Sequence, residues 1–265
     1  MEAKMLAYLG FDDTDDHDSV MGTGRLVREF ARLLPTGHTL IGIIRHQLPR
    51  MDSIPFTSNN SSACAVVDVP EDGERESLRL ALRDLAADYL AQQCAPGSDP
   101  GLCLAFETEV TPGMVEFGKR AAGVQLTQRD AMDAARPIDL LGLGGTNDGI
   151  IGAMAAVGLT RYGWCGRFIE YGRLRELPAS LTVRDLLDTG IEVVSVDRDP
   201  LVPQAGDSVL DAAWIRPSLW GGRPVLQVRS LGLGVWEPAH SKRGKGAGHG
   251  PGLRKDAVRT PGIAG

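Results

Sequence analysis

Four aspartates crowd into five positions, Asp12, Asp13, Asp15 and Asp16, just behind an apolar run at residues 5–9. The run reads as a short buried strand, so the carboxylates fall near its end, and Met21-Gly22-Thr23-Gly24 then opens a helix. Carboxylates this close repel one another unless a cation sits among them. Hard oxygen ligands suit Mg²⁺, which usually takes one or two carboxylates together with a substrate's phosphates. Glycines let backbone N–H groups approach those phosphates, and a helix start favours negative charge. Strand, carboxylates, glycine-flanked threonine and helix therefore read as a Mg–ATP site. The competing reading is a solvated turn, because Asp is also a common turn and cap residue. An EF-hand loop is excluded: His17 stands where an oxygen ligand is needed and no Glu closes the loop.

Composition narrows the function classes. A chain of 265 residues suffices for one large domain or two small ones. Its net charge of −6 provides no global basic field, which weighs against an RNA partner. Cys64, Cys94, Cys103 and Cys165 form no C-x-x-C pair, so neither a zinc ribbon nor a disulfide framework is expected. There is no charged-then-apolar leader pattern and no apolar run of membrane-spanning length. The expectation is a cytoplasmic protein with no membrane partner.

Further along, apolar residues at helical spacing predict a helix over 24–34, with Thr23 as its N-cap. A strand follows at 39–44, with Arg45-His46-Gln47 as polar material beyond it; His46 reads as a base or as a hydrogen-bonding residue. The polar loop at 54–62 contains Ser58, Asn59 and Asn60, residue types able to hydrogen-bond a phosphate or ribose. Strands at 63–67 and 102–106 flank an amphipathic helix at 74–93. A helix at 128–135 is opened by Thr127 with Asp130 three residues on. Residues 138–143 form an apolar strand, 144–149 a glycine turn, and 150–157 an apolar helix. Gly144 and Gly149 have P-loop spacing, but Ile150 and Ile151 stand where Lys and Ser/Thr must follow, so a Walker A site is rejected. Strand 167–171, helix 183–189 and strands 191–197 and 225–229 suggest an α+β second domain. From 240 to 265 the chain is Gly-rich and basic with no apolar periodicity, and disorder is expected there.

With these motifs assembled, the chain resembles the archaeal tRNA agmatinylcytidine synthetase (TiaS) family. The family's G-I-D-D-T-D-S followed by G-M-C-T-T-Y-L reads here as Gly10-Phe11-Asp12-Asp13-Thr14-Asp15-Asp16 and Val20-Met21-Gly22-Thr23-Gly24-Arg25-Leu26. Ile54-Pro55-Phe56 with the loop to Ala63 is similar to I-P-Y/W-K-T-R-G-N-x-A, and Thr111-Pro112-Gly113-Met114-Val115 to N-P-G-V-V. Residues 149–158, GIIGAMAAVG, are similar to G-I-I-G-A-L-A-A-I-G.

The resemblance implies an α+β protein: an ATP- and Mg-binding kinase-like domain at 1–107, a ferredoxin-like domain at 108–236 and a tail at 237–265. It implies that ATP both phosphorylates a threonine, here Thr23, and activates an acceptor oxygen for attack. Asp12, Asp13 and Asp15 then hold Mg²⁺, with Asp12, Asp13 and Thr23 catalytic. Thr14, Gly22, Gly24, Ser58, Asn59, Asn60, Gly149 and Gly152 bind the nucleotide. Three departures stand out. Gly24 replaces a threonine; Thr57-Ser58-Asn59-Asn60-Ser61 carries no charge where the family has K-T-R-G-N; and the OB-fold and zinc ribbon have no counterpart here. The expected activity is an ATP-dependent phosphotransferase or ligase acting on an acceptor the sequence does not name. The alternatives are a non-catalytic nucleotide sensor or subunit, and an RNA-modifying enzyme that borrows its RNA grip from a partner.

Overall fold

The computed structural model describes residues 5–54, 56–57, 59–70, 74–172, 174–178, 180–197, 201–211 and 215–240. In chain order these form β1 (Met5–Asp12), α1 (Thr23–Phe30), β2 (Thr39–Gln47), β3 (Ser61–Val69), α2 (Arg75–Gln93) and β4 (Gly101–Phe106). Then come α3 (Pro112–Ala121), α4 (Gln128–Ala134), β5 (Asp139–Gly142), α5 (Gly149–Tyr162) and β6 (Arg167–Tyr171). The remainder is β7 (Leu181–Thr182), α6 (Val183–Asp188), β8 (Glu192–Ser195), β9 (Ser208–Val209), β10 (Ser218–Trp220), β11 (Arg223–Gly232) and β12 (Val235–Pro238). The architecture is mixed α/β, with helices packed on a large sheet.

Among the described residues the strands join in one sheet, ordered β5-β4-β1-β3-β2-β6-β10-β11-β12-β9-β7, with β8 paired to β11. The half from β5 to β6 is antiparallel throughout. β1 lies between β3 and β4, so Gly10 has Cys64 on one side and Cys103 on the other. Helices cover both faces here, which is why β1 reads as a continuous apolar run rather than an alternating one. On one face Ala7, Leu9 and Phe11 pack with Leu26, Val27 and Phe30 of α1 and Leu82, Ala86 and Leu90 of α2. On the other, Tyr8, Cys64 and Cys103 pack with Met114 and Phe117 of α3 and with residues of α5. Residue 107 falls in the 3₁₀ turn Glu107–Glu109, and the helices beyond it cover this second face.

Small residues let α5 lie close. A Cβ on Gly10 would stand 2.1 Å from the Ala153 carbonyl oxygen, so β1 and α5 approach backbone to backbone. Gly158 approaches the Met114 backbone in the same way. A third core gathers Leu186 of α6 with Leu226, Val228 and Trp236. The expected capping box of Thr127 with Asp130 forms, and Thr182 makes a second one with Asp185. Among the described residues no helix is long and apolar enough to cross a membrane. The expected tail lies outside the described residues from 241 onward.

Candidate active site

β1 ends at Asp12 and the backbone turns sharply at Asp13, whose φ of 51° is in the left-handed region that Asp tolerates better than most residues. That turn sends the aspartates in two directions. Asp12 leans toward the first turn of α5, where a Cβ on Gly152 would stand 1.7 Å from its Oδ2. Gly152 is therefore the space that Asp12 occupies. Asp13 lies beside Asp99 and Asp148 and accepts a hydrogen bond from the Asp99 backbone. Burial, with Asp13 and Asp15 adding repulsion, raises the Asp12 pKa to about 8. Burial together with Asp99, Asp15 and Asp148 raises Asp13 to about 6.

Asp15 turns the other way, into a cleft of about 380 Å³. There the Thr23 hydroxyl donates to its Oδ1 at 3.3 Å and the Thr57 hydroxyl to its Oδ2 at 3.0 Å. Thr14, enclosed behind Thr23, donates its hydroxyl to the Thr23 oxygen at 3.0 Å. The reading of Thr23 as N-cap is corrected: Gly22 is the cap, and Thr23 is the first helical residue, 7% exposed. Its hydroxyl serves the Thr14–Thr23–Asp15 chain instead of capping the helix. Gly24 has its own reason, since a Cβ there would meet Ile169 Cδ1 at 2.9 Å.

Of the nucleotide-binding residues expected from sequence, Gly22, Gly24 and Asn59 line this cleft along with Asp15 and Thr23. Thr14 stands one layer behind. Asn60 donates to the Pro49 carbonyl at 2.8 Å and holds the end of β2. Gly149 packs against the Asp99 and Gly101 backbone, and neither it nor Gly152 lines the cleft. Ser58 lies outside the described residues. His46 is buried, its Nε2 is 2.9 Å from the Thr160 hydroxyl, and burial lowers its pKa to about 3, so it stays neutral and holds the core. Among the described residues no group of three or more His, Cys, Asp and Glu is gathered closely enough to hold a metal ion.

Sequence reasoning missed the cations. The 57–61 loop carries none, yet Arg25 and Arg28 of α1, Arg45 of β2, Arg175 and Arg216 all line the cleft. Arg25 and Arg28 follow Thr23 on successive turns, and that spacing was the available signal. Arg175 follows β6 and Arg216 precedes β10, both far along the chain from Thr23, and nothing local announces them.

Fold and site together define a mixed α/β protein with a hydroxyl–carboxylate pair at the wall of an arginine-lined cleft. No family model matches the chain, and no curated protein matches it. Among solved structures it is similar to apo TiaS, a tRNA agmatidine synthetase, at 24% identity and a TM-score of 0.46, over 58% of this chain and 35% of that one. A complex of TiaS with tRNA and ATP is similar at 24% identity and TM-score 0.47. A tRNA fluorescent labeling enzyme is similar at 25% identity and TM-score 0.47. The chain thus spans little more than a third of the length of each, 36% of the latter two.

Proposed function

We propose that the protein is an ATP-dependent phosphotransferase or ligase that activates an oxygen of its acceptor, with Thr23 as a phosphoacceptor. The observation that carries this reading is the chain of hydroxyls aimed at one carboxylate: Thr14 to Thr23 at 3.0 Å and Thr23 to Asp15 at 3.3 Å. A threonine hydroxyl is a weak nucleophile until a base takes its proton. Asp15 is that base by geometry, and Thr14 fixes the rotamer by donating to the same oxygen. ATP is the substrate read from the aspartate motif. In the transfer, the Thr23 Oγ1–phosphorus bond forms and the bond from that phosphorus to the bridging oxygen of ATP breaks. The proton passes to Asp15 and ADP departs.

Asp12, Asp13 and Asp15 are the residues proposed for Mg²⁺. The oxygens are hard donors, but among the described residues the three are not gathered on one point: Asp12 leans on Gly152 and Asp13 lies beside Asp99, while Asp15 faces the cleft, and burial first, then mutual repulsion, raises Asp12 and Asp13. Mg²⁺ needs only one or two protein carboxylates when phosphates complete its shell. Its contribution there is charge neutralisation between carboxylates and phosphates. The division into 1–107 and 108–236 is read as a division of labour. The first part supplies the aspartates and Thr23, the second Arg175, Arg216 and the glycine turn beside Asp13.

The test is incubation of the full chain with Mg²⁺ and γ-labelled ATP. Label is expected on the protein and absent from Thr23→Ala. Label that persists in that variant would remove Thr23 from the reaction.

A further inference from the structure

The five arginines of the cleft come from four separate segments, and among the described residues that line it Asp15 is the one carboxylate. Arg28 Nε donates to the Gly24 carbonyl at 3.3 Å, Arg45 Nε to the Ser61 hydroxyl at 2.8 Å and Arg216 Nη1 to the Ile215 carbonyl at 2.7 Å. Arg175 pairs with Glu170 at 3.2 Å and donates to the Ile169 carbonyl at 3.0 Å. Asp15 itself already accepts from two threonines. Burial and the mutual closeness of Arg28, Arg175 and Arg216 weaken the hold of Arg28 and Arg216 on their protons. A guanidinium does not deprotonate in a protein, and Glu170, the carboxylate already beside these three, offsets only part of their repulsion, so a further anion is favoured here.

We infer that the cleft binds a small phosphate-bearing molecule through Arg28, Arg175 and Arg216, with its phosphate beside Thr23. Three observations favour a small ligand over a polynucleotide. The cations converge on one cleft of about 380 Å³, within the usual range of small-molecule pockets. They form no stripe of the kind that tracks a nucleic-acid backbone. The whole chain is acidic, at −6. Planar guanidinium forks suit phosphate oxygens, and Gly22 puts no side chain in their way at the helix start. The phosphate comes either from ATP itself or from a phosphorylated acceptor. The inference rests on the phosphoryl-transfer reading only for what the anion does next, not for whether it binds.

The experiment titrates tripolyphosphate into the full chain without metal, followed by calorimetry. Saturable binding is expected, weakened roughly tenfold or more in Arg28→Gln and in Arg216→Gln and unchanged in Arg129→Gln, which lies outside the cleft. Should a glutamine variant fail to fold by circular dichroism, Arg→Lys at the same position keeps the charge, loses the fork and is expected to bind more weakly than the parent. Because the titration is run without metal, its outcome is separate from failure of the metal site or of the transfer step. Displacement by ATP assigns the cleft to the triphosphate, displacement by ribose 5-phosphate to an acceptor's phosphate, and either supports the inference. It is overturned by no saturable heat at millimolar concentration, by equal affinity in the glutamine variants, by displacement with neither competitor, or by tighter binding of an RNA oligonucleotide.

Discussion

Thr14 donates its hydroxyl to Thr23 at 3.0 Å, so the Thr23 proton is left to point at Asp15. The pair explains why a threonine precedes Asp15 at a position with almost no exposure: its work is done on another side chain. Thr14→Val keeps the shape and removes the donor. It is expected to cost about 1 kcal/mol of stability, the usual worth of a buried hydrogen bond. Labelling of Thr23 should slow roughly tenfold because the rotamer is no longer fixed. Thr14→Ser should restore both. Urea melts and the rate of γ-label incorporation measure the two effects.

The raised aspartates make a signed prediction about pH. Asp12 sits at about 8 against an ordinary value of 3.8 in the unfolded chain. Its folded form binds the proton more tightly, so the stability it lends is fully present below about pH 4 and is lost as pH rises toward about 8. Asp13 acts in the same direction, with its loss complete near pH 6. In EDTA the melting temperature should therefore fall from about pH 4 to about pH 8, and Asp12→Asn should flatten that fall. Added Mg²⁺ should raise the melting temperature more at about pH 8 than at about pH 5, where protons compete for the same oxygens. A melting temperature in EDTA that climbs over this range would contradict the burial of these carboxylates.

Gly152 gives Asp12 its place. Gly152→Ala puts a methyl 1.7 Å from the present position of Asp12 Oδ2, so the carboxylate or α5 must move. The expected loss is about 1–3 kcal/mol, the range for overpacking a tight site. The Mg²⁺-dependent rise in melting temperature should disappear with it. Gly10→Ala, which meets the Ala153 backbone instead, should destabilise the fold too, since neither β1 nor α5 can yield cheaply. Thermal melts with and without Mg²⁺ distinguish the two variants.

His46 separates structure from chemistry. Buried, neutral and within hydrogen-bonding distance of Thr160, it does not line the cleft. His46→Ala should destabilise the protein by about 2–5 kcal/mol through the cavity it leaves. Per folded molecule, Thr23 labelling should be unchanged, and its pH profile should not shift. A moved profile would make His46 a participant.

Much of the site was legible because its residues are contiguous. The apolar run before Asp12, the crowded carboxylates and the glycine-flanked Thr23 follow one another closely along the chain, and local physics relates them. The same reasoning misplaced the Thr23 hydroxyl, because capping is the commoner use of a threonine at a helix start and only the position of Thr14 decides otherwise. The family resemblance put Gly149 and Gly152 at the nucleotide, yet what they meet is the Asp99 backbone and the Asp12 carboxylate, which no linear pattern reveals. The arginines were invisible for a related reason. The loss of charge from residues 57–61 is local, whereas the cations lining the cleft come from α1, from β2 and from segments around residues 175 and 216 brought alongside by the β2–β6 pairing.

In the proposed reaction the aspartates behind β1 hold a divalent ion against a triphosphate. Calorimetric titration of ATP into the full chain, with and without Mg²⁺, tests it most directly. Saturable heat that strengthens when Mg²⁺ is present is expected, with loss of that strengthening in Asp12→Asn and Asp13→Asn. Heat indistinguishable from dilution at millimolar ATP and Mg²⁺, or a Mg²⁺ effect that survives both substitutions, would contradict it.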